Sequence, residues 1–329
     1  MATGIELFKE VTERLFAAKK VLLMTHLRPD GDALGSCFGM RSFLRHNGVQ
    51  AEIVLPSGMP RRFQNLCTGT LNAAEVDPDE FDLLLSLDCA NIERLGMPDA
   101  LDEVKLRQRG FISIDHHKLN SINAPCSILD PDAASACQVV TELICAGNRE
   151  FGDGTATFLM MGMMTDTGNF CFANTTAQTF NMAAKLMEAG ADVTAIANEV
   201  FFNKPFNQLK FESEFVNTFD FACDGKLAMA FIPQELMDKY NFNLNEDEGL
   251  IDLLRCLEGV VIAIMLHKRP DGFRVSMRSK SNAAPVGPLA RRYGGGGHDL
   301  AAGMTLDLPD IDAVKELLSR EISAVLQQA

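Results

Sequence analysis

Six side chains able to bind a divalent cation lie directly behind apolar runs of this chain: His26, Asp30, Asp32, Asp88, His116 and Asp166. The first three share one turn within residues 21–36, VLLMTHLRPDGDALGS. All six are oxygen or nitrogen donors and no thiolate is among them. That mixture suits Mn²⁺, with Mg²⁺, Co²⁺ or Fe²⁺ as alternatives; a structural zinc more often takes cysteine. Six donors are too many for one ion that must keep positions open for water and substrate. They fit two ions about 4 Å apart that share one carboxylate, the arrangement used for hydrolysis at phosphorus. Four aspartates balance two divalent charges, so an entering phosphate meets cations that are not over-neutralised. Water activated between the ions would be the nucleophile, and His117 with one ion would stabilise charge on the phosphoryl oxygens or leaving group. Each cluster also has a plainer reading. H-x-x-x-D-x-D is a common polar turn, a strand-end carboxylate is often a helix N-cap, and paired histidines are often surface features. Four clusters in equivalent places favour the metal reading.

The elements that would position these donors follow from the apolar pattern. Residues 21–25 read as a buried strand entering a turn broken by Pro29 and Gly31, with a helix opening near Ala33 and Leu34. Further strands are predicted at 51–55, at 81–87 ending on Asp88, and at 110–114 ending on Asp115-His116-His117. Short apolar runs alternating with helical segments predict an α/β domain with a mostly parallel sheet covered on both faces, its donors gathered at the carboxyl edge. The methionine-rich run 154–164, GTATFLMMGMM, reads as core rather than a sulfur ligand set, and it leads directly to Asp166. A helix over 177–188 closes at Gly190. Residues 192–220 read as an amphipathic helical linker punctuated by Pro205, which divides the chain into domains at 1–191 and 221–329. The second domain is expected to hold a strand at 227–232 and a helix from Glu248 to about 257. A hairpin of 260–266 and 273–278 would turn at Arg269-Pro270-Asp271-Gly272, followed by a short helix at 286–293 and a closing helix at 311–326.

The 329 residues suffice for two domains, and 47% hydrophobic against 22% charged residues is a globular balance. No apolar run is long enough to span a bilayer, and the opening segment reads as an amphipathic helix rather than a signal peptide, so a cytoplasmic protein with no membrane partner is expected. Nine scattered cysteines without a C-x-x-C pair suggest reduced thiols packed as small apolar groups. A net charge of −14 argues against coating long or duplex nucleic acid, which is held mainly by phosphate neutralisation. A short phosphorylated ligand is compatible with it.

The C-terminal run GGGGHDLAAG, residues 294–303, offers backbone N–H groups that an anion can approach closely, with His298 as an additional donor. A flexible loop is the competing view. Arg274 and Arg278 share one face of the preceding strand, facing either a cleft or solvent.

Taken together, HLRPDGDALGS, SLDCA, IDHHK and MTDTGNF resemble the four motifs of the DHH phosphoesterases, named for the Asp-His-His triplet found here at 115–117. GGGGHDLAAG with VSMRSK upstream resembles the associated C-terminal domain of the branch that contains nano-RNase oligoribonucleases, pAp phosphatases and cyclic-dinucleotide phosphodiesterases. The resemblance implies a parallel-sheet catalytic domain and a smaller mixed-sheet domain, joined by a helical linker, with the active site in the cleft between them. It also implies one metal on His26, Asp30 and Asp88 and a second on Asp32, Asp88, His116 and Asp166, bridged by Asp88. His117 would contact the scissile phosphate, and Asp115 would support His116. Arg278, Ser279, the glycine run Gly295, Gly296 and Gly297, and His298 would bind the substrate's terminal phosphate or base. Residues 135–138, Ser-Ala-Cys-Gln, stand where many relatives carry a Ser-Thr pair followed two residues later by Glu. That departure is expected to alter packing or substrate preference while touching no metal ligand.

The expected function is a Mn²⁺-dependent phosphodiesterase that converts very short RNA or linear dinucleotides such as pApA to mononucleotides, with 3′-phosphatase action on pAp as a further activity. The rivals are a phosphodiesterase opening cyclic di-AMP, an inorganic pyrophosphatase, against which the GGGGH segment argues, and a nucleotide-binding module without catalysis. A homodimer is expected by analogy with the family alone.

Overall fold

The computed structural model describes residues 4–97, 110–122, 124, 126–244 and 249–327. The chain forms two compact units that divide between Asn203 and Lys204.

The first unit is built on a parallel sheet of order β2-β1-β3-β4-β5, comprising β1 Lys20–Met24, β2 Gln50–Val54, β3 Leu83–Leu87, β4 Phe111–Asp115 and β5 Cys126–Leu129. Strands buried on both faces read as unbroken apolar runs, and all five residues of β3, LLLSL, are buried. Alternation then assigns each residue a face. Val21, Leu23, Leu85, Ile112 and Ile114 enter one core with α1 Gly4–Ala17, α2 Gly31–His46, α3 Ala136–Ala146, α4 Thr155–Asp166 and α5 Ala177–Glu188. Leu22, Met24, Leu84 and Phe111 enter a smaller one. Among the described residues that second face is covered by 3₁₀ turns and loops. The chain leaves β1 for β2 on one side and resumes at β3 on the other, so the strand order reverses between β1 and β3. A parallel sheet opens a crevice at that point.

The predicted strand ends of this unit agree with the structure within two residues. β5 and α3 had no counterpart in the predicted pattern, because CSIL is short and ACQVVTELICA lacks a charged face to mark its period. The methionine-rich run is the helix α4, apolar around most of its circumference because α2, α3 and α5 pack on it.

The linker region is helical over Val193–Ile196 (α6), continues as a π turn to Phe201, and resumes as α7 Phe206–Phe215 behind Pro205. α7 belongs to the second unit, where Phe211 and Phe215 are core residues. That unit carries a mixed sheet of order β10-β11-β9-β8-β7-β6. Its strands are β6 Phe219–Ala222, β7 Leu227–Ile232, β8 Ile262–Arg269, β9 Gly272–Ser279, β10 Gly296–Gly297 and β11 Ala301–Leu306. Only β7 and β8 run parallel among its pairs. β6 starts inside the segment expected to be linker. The helix predicted from Glu248 is confined to Asp252–Arg255, and Glu248 lies outside the described residues. The helix Ile311–Gln327 closes the unit with Val314, Leu318 and Ile322 buried.

Candidate metal centre

Each first-unit donor sits where regular backbone stops. Beyond β1, His26 begins a loop in which Arg28 takes a left-handed φ of 55°. Asp30 then caps α2, its Oδ1 accepting from the Asp32 and Ala33 N–H groups at 3.1 and 3.0 Å. Cap and candidate ligand coincide in one carboxylate, because the other oxygen, Oδ2, lies 3.7 Å from His26 Nε2. Beyond β3, Asp88 also adopts a left-handed conformation, φ 52°, which aspartate tolerates better than most residues and which clusters at functional sites. Asp88 Oδ2 lies 3.7 Å from His26 Nε2, while Oδ1 lies 3.5 Å from His116 Nε2. His116 Nε2 is also 3.8 Å from Asp32 Oδ2 and 3.6 Å from Asp166 Oδ2.

All six predicted donors therefore converge, in two sets. His26, Asp30 and Asp88 form one; Asp32, Asp88 and His116, with Asp166 beside them, form the other. The two oxygens of Asp88 face different sets. Separations of 3.5–3.8 Å are too long for hydrogen bonds between the donors. An ion about 2.1 Å from each donor would set neighbours about 3.0–3.5 Å apart, so small contractions suffice. Asp88 Oδ1 is buried without a hydrogen-bond partner, a costly state that a cation relieves. The donors fit divalent cations, and these clusters can hold metal. Asp88 is only 2% exposed, whereas the Asp30 and Asp166 side chains are 36% and 30% exposed and mark the open side.

The electrostatics reflect the same crowding. Burial opposes protonation of His26, yet Asp30 and Asp88 outweigh it and raise its pKa to about 11. Burial and then the Asp88 charge push Asp32 up to about 7. Burial likewise raises Asp166 well above the usual carboxylate range. Asp88 goes the other way: burial disfavours its charge, but His116 and His26 hold its pKa well below the usual value.

The DHH family N-terminal domain matches residues 20–163 and the DHHA1 domain residues 224–324. A relative from Thermus thermophilus named bifunctional oligoribonuclease and PAP phosphatase NrnA is 31% identical over 94% of this chain and 91% of its own. This chain belongs to the DHH phosphoesterase family. The protein of the same name from Bacillus subtilis is 27% identical, covering 87% of this chain and 89% of its own. A cyclic-di-AMP phosphodiesterase, PdeA, from Listeria monocytogenes is 24% identical over 93% of this chain but only 48% of its own length. Among solved structures, an exopolyphosphatase-related protein from Bacteroides fragilis shares the fold, with a TM-score of 0.88 at 22% identity, covering 99% of this chain and 100% of its own.

The triplet that names the DHH family needs a correction. Asp115 was assigned to His116, but its Oδ1 lies 2.8 Å from His117 Nδ1, and its Oδ2 accepts from Asn120 Nδ2 at 2.5 Å. His116 Nδ1 instead faces the Ala133 carbonyl at 3.3 Å. Burial opposes both shifts, but the pair holds Asp115 low and His117 high. Asp115 thus orients His117. Asn120, which also donates to the Cys89 carbonyl at 3.2 Å, escaped notice because no motif residue announces it.

A second correction concerns residues 135–138, expected to touch no metal ligand. Ala136 N–H donates to Asp32 Oδ2 at 2.6 Å and Cys137 N–H to Asp32 Oδ1 at 2.9 Å. The start of α3 is therefore the cradle of Asp32, favourable both as hydrogen bonding and as a helix N-terminus facing a carboxylate. Ser135 caps α3 through the Gln138 N–H at 3.0 Å, and Gln138 Oε1 accepts from Ala134 N–H at 3.2 Å and Thr179 Oγ1 at 3.0 Å. Backbone donors leave no letter in the sequence, so this support was invisible there.

In the second unit, Arg274, Ser276 and Arg278 share the half-exposed face of β9, as the alternation predicted. Arg278 Nη1 donates to the Met277 carbonyl at 3.1 Å. Ser279 departs from its expected role. It points to the opposite, buried face, and its hydroxyl donates to the Ser281 carbonyl at 3.1 Å. The glycine run is not a flexible loop, because Gly296 and Gly297 pair antiparallel with Gly303 and Ala302. A Cβ at Gly295 would lie 2.2 Å from the Gly303 oxygen, whereas one at Gly296 would meet open space. His298 follows β10, its carbonyl accepting from Ala301 N–H at 3.2 Å. Among the described residues no helix is long and apolar enough to cross a membrane.

Proposed function

We propose that this chain is a two-ion phosphodiesterase that hydrolyses very short RNA oligonucleotides and linear dinucleotides such as pApA to mononucleotides, and also removes the 3′-phosphate of pAp. The observation that carries it is Asp88, whose two buried oxygens each face a separate His/Asp set. The names of the Thermus and Bacillus relatives support the substrate class.

His26, Asp30 and Asp88 would hold one ion and Asp32, Asp88, His116 and Asp166 the other, with Mn²⁺ best matched to the donor set. Bound there, the ions supply Lewis acidity at phosphorus and lower the pKa of water. Asp88 fixes the spacing of the two sets. Asp115 holds a proton on His117 Nδ1 and orients the ring, so that His117 presents its other nitrogen to the phosphoryl oxygens. In the second unit, Arg278, the glycine run Gly295, Gly296 and Gly297, and His298 bind the far phosphate or base of the substrate; the Ser279 hydroxyl donates within its own turn. We assign catalysis to the unit that ends at Asn203 and substrate binding to the unit that begins at Lys204, in a cytoplasmic, homodimeric protein.

The test is a Mn²⁺-supplemented hydrolysis panel of pApA, RNA of two to five residues, pAp, cyclic di-AMP and pyrophosphate, read by chromatography. Fast cleavage of pApA and short RNA with slow opening of the ring is the expected result. Preference for cyclic di-AMP would replace this reading with the ring-opening activity named for the Listeria relative, and cleavage of pyrophosphate alone would overturn it.

A further inference from the structure

Two of the four donors in the Asp32 set, His116 and Asp32, rest on one backbone segment. His116 Nδ1 faces the Ala133 carbonyl, and Asp32 is held by the Ala136 and Cys137 N–H groups. Asp166 comes from the end of α4, a separate element. What joins them is Asn174. Its Nδ2 lies 3.0 Å from the Ala134 carbonyl and 3.1 Å from the Asp166 carbonyl. Both partners are oxygens that only accept, so the amide nitrogen must face them, and both of its hydrogens are used.

The chain between Asp166 and Asn174 is shaped to bring this amide back. Gly168, Asn169 and Phe170 are successive left-handed residues, with φ of 54°, 58° and 63°. Two left-handed non-glycine residues in a row are costly, and such conformations persist where the surroundings enforce them. Here Thr167 enforces them: its carbonyl accepts from Phe172 N–H at 2.9 Å and its Oγ1 from Phe170 N–H at 3.0 Å. Phe170 then stacks on Phe180 of α5, with centroids 5.4 Å apart. Asn174 itself is exposed, so its amide is not there to fill a core.

We propose that Asn174 is a positioning residue. By tying the Ala134 and Asp166 carbonyls together it fixes Asp166 against the cradle of Asp32 and His116, and so sets the affinity of the ion on that side of Asp88. This rests on the two-ion reading above.

The experiment is calorimetric titration of chelator-stripped full-length protein with Mn²⁺, alongside thermal melting of the metal-free form. Wild type is expected to show two binding events. Asn174→Asp keeps the shape but replaces the donor with an acceptor facing two carbonyls. It is expected to weaken one event 10- to 100-fold, the same one that Asp166→Asn weakens, and to leave the other within about twofold. The metal-free Tm should move by no more than about 2 °C, as for an exposed substitution. Asn174→Ala, which adds no charge, should give the same pattern. Two unchanged events, or both weakening together in step with a fallen Tm, would overturn the proposal while leaving the two-ion reading intact. Fewer than two events in wild type would overturn that reading and this one with it.

Discussion

His26 and Asp32 make metal binding a competition with protons. The His26 pKa near 11 keeps its imidazole protonated at neutral pH in the metal-free protein, and burial with the Asp88 charge raises Asp32 to about 7. Both must lose the proton to ligate, so raising the pH favours the ion, and binding must release protons. Mn²⁺ titrations at pH 7 in two buffers of different ionisation enthalpy are expected to differ in observed heat, with affinity rising from pH 6 to 8; buffer-independent heats would contradict the assignment. Asp115 gives a second residue-scale outcome. Asp115→Asn leaves one acceptor oxygen where His117 Nδ1 and Asn120 Nδ2 now have one each, without altering either donor set, so kcat on pApA should fall about 10- to 100-fold while Mn²⁺ affinity stays within a few fold. A parallel loss of metal affinity would return Asp115 to the supporting role for His116. The donor identities were legible in the sequence because ligands are side chains with few substitutes. What Asp115 orients was not, since Asp115, His116 and His117 are neighbours in the chain and only the turn beyond β4 decides which ring meets the carboxylate.

Helix α2 carries Gly31, Gly35 and Gly39 at a four-residue spacing, and this stripe lets it meet α4 almost backbone to backbone. A Cβ at Gly35 would lie 2.6 Å from the Phe158 carbonyl oxygen and 2.8 Å from the Gly162 nitrogen, neither of which can rotate away. At Gly162 a Cβ would fall 2.2 Å from Cys137 Sγ and 2.9 Å from Asp32 Oδ1. The close approach is what brings the first turn of α2, with Asp32, near the last turn of α4, with Asp166. Gly35→Ala should therefore destabilise by about 1–3 kcal/mol or more in urea melts. Gly162→Ala should in addition weaken Mn²⁺ binding, since the new methyl group displaces a donor; unaltered stability and binding in both would show that the helices have room to separate. The glycine spacing stands in the sequence, but as a packing signal it acquires meaning only with a partner helix, and GTATFLMMGMM reads as undifferentiated core until α4 is seen. Strand ends were legible because each apolar run stops abruptly at a polar turn. The α3 cradle was not, because two backbone N–H groups do the holding.

At the scale of the molecule, the reversal of strand order between β1 and β3 makes one edge of the sheet receive His26, Asp30, Asp88 and the 115–117 triplet together. The parallel sheet followed from patterning and the mixed one from the family resemblance; the helices crowding one face of the first sheet did not, because burial alone does not reveal on which side a helix lies. A net charge of −14 repels polyanions, so attraction is confined to the site itself. RNA of two to five residues should accordingly be cleaved at least about 100-fold faster than a duplex of 20 or more pairs, and comparable rates on both would call for a long basic track that the charge balance does not support. The central claim is that two cations joined by Asp88 hydrolyse a short linear dinucleotide. It is tested most directly by following pApA hydrolysis by chelator-stripped protein as Mn²⁺ is restored, in wild type and in Asp88→Asn. Wild type should be silent without metal and regain full activity on its return, with the variant below about one thousandth of that rate at saturating Mn²⁺. Metal-independent turnover in wild type, or substantial turnover in Asp88→Asn, would contradict it.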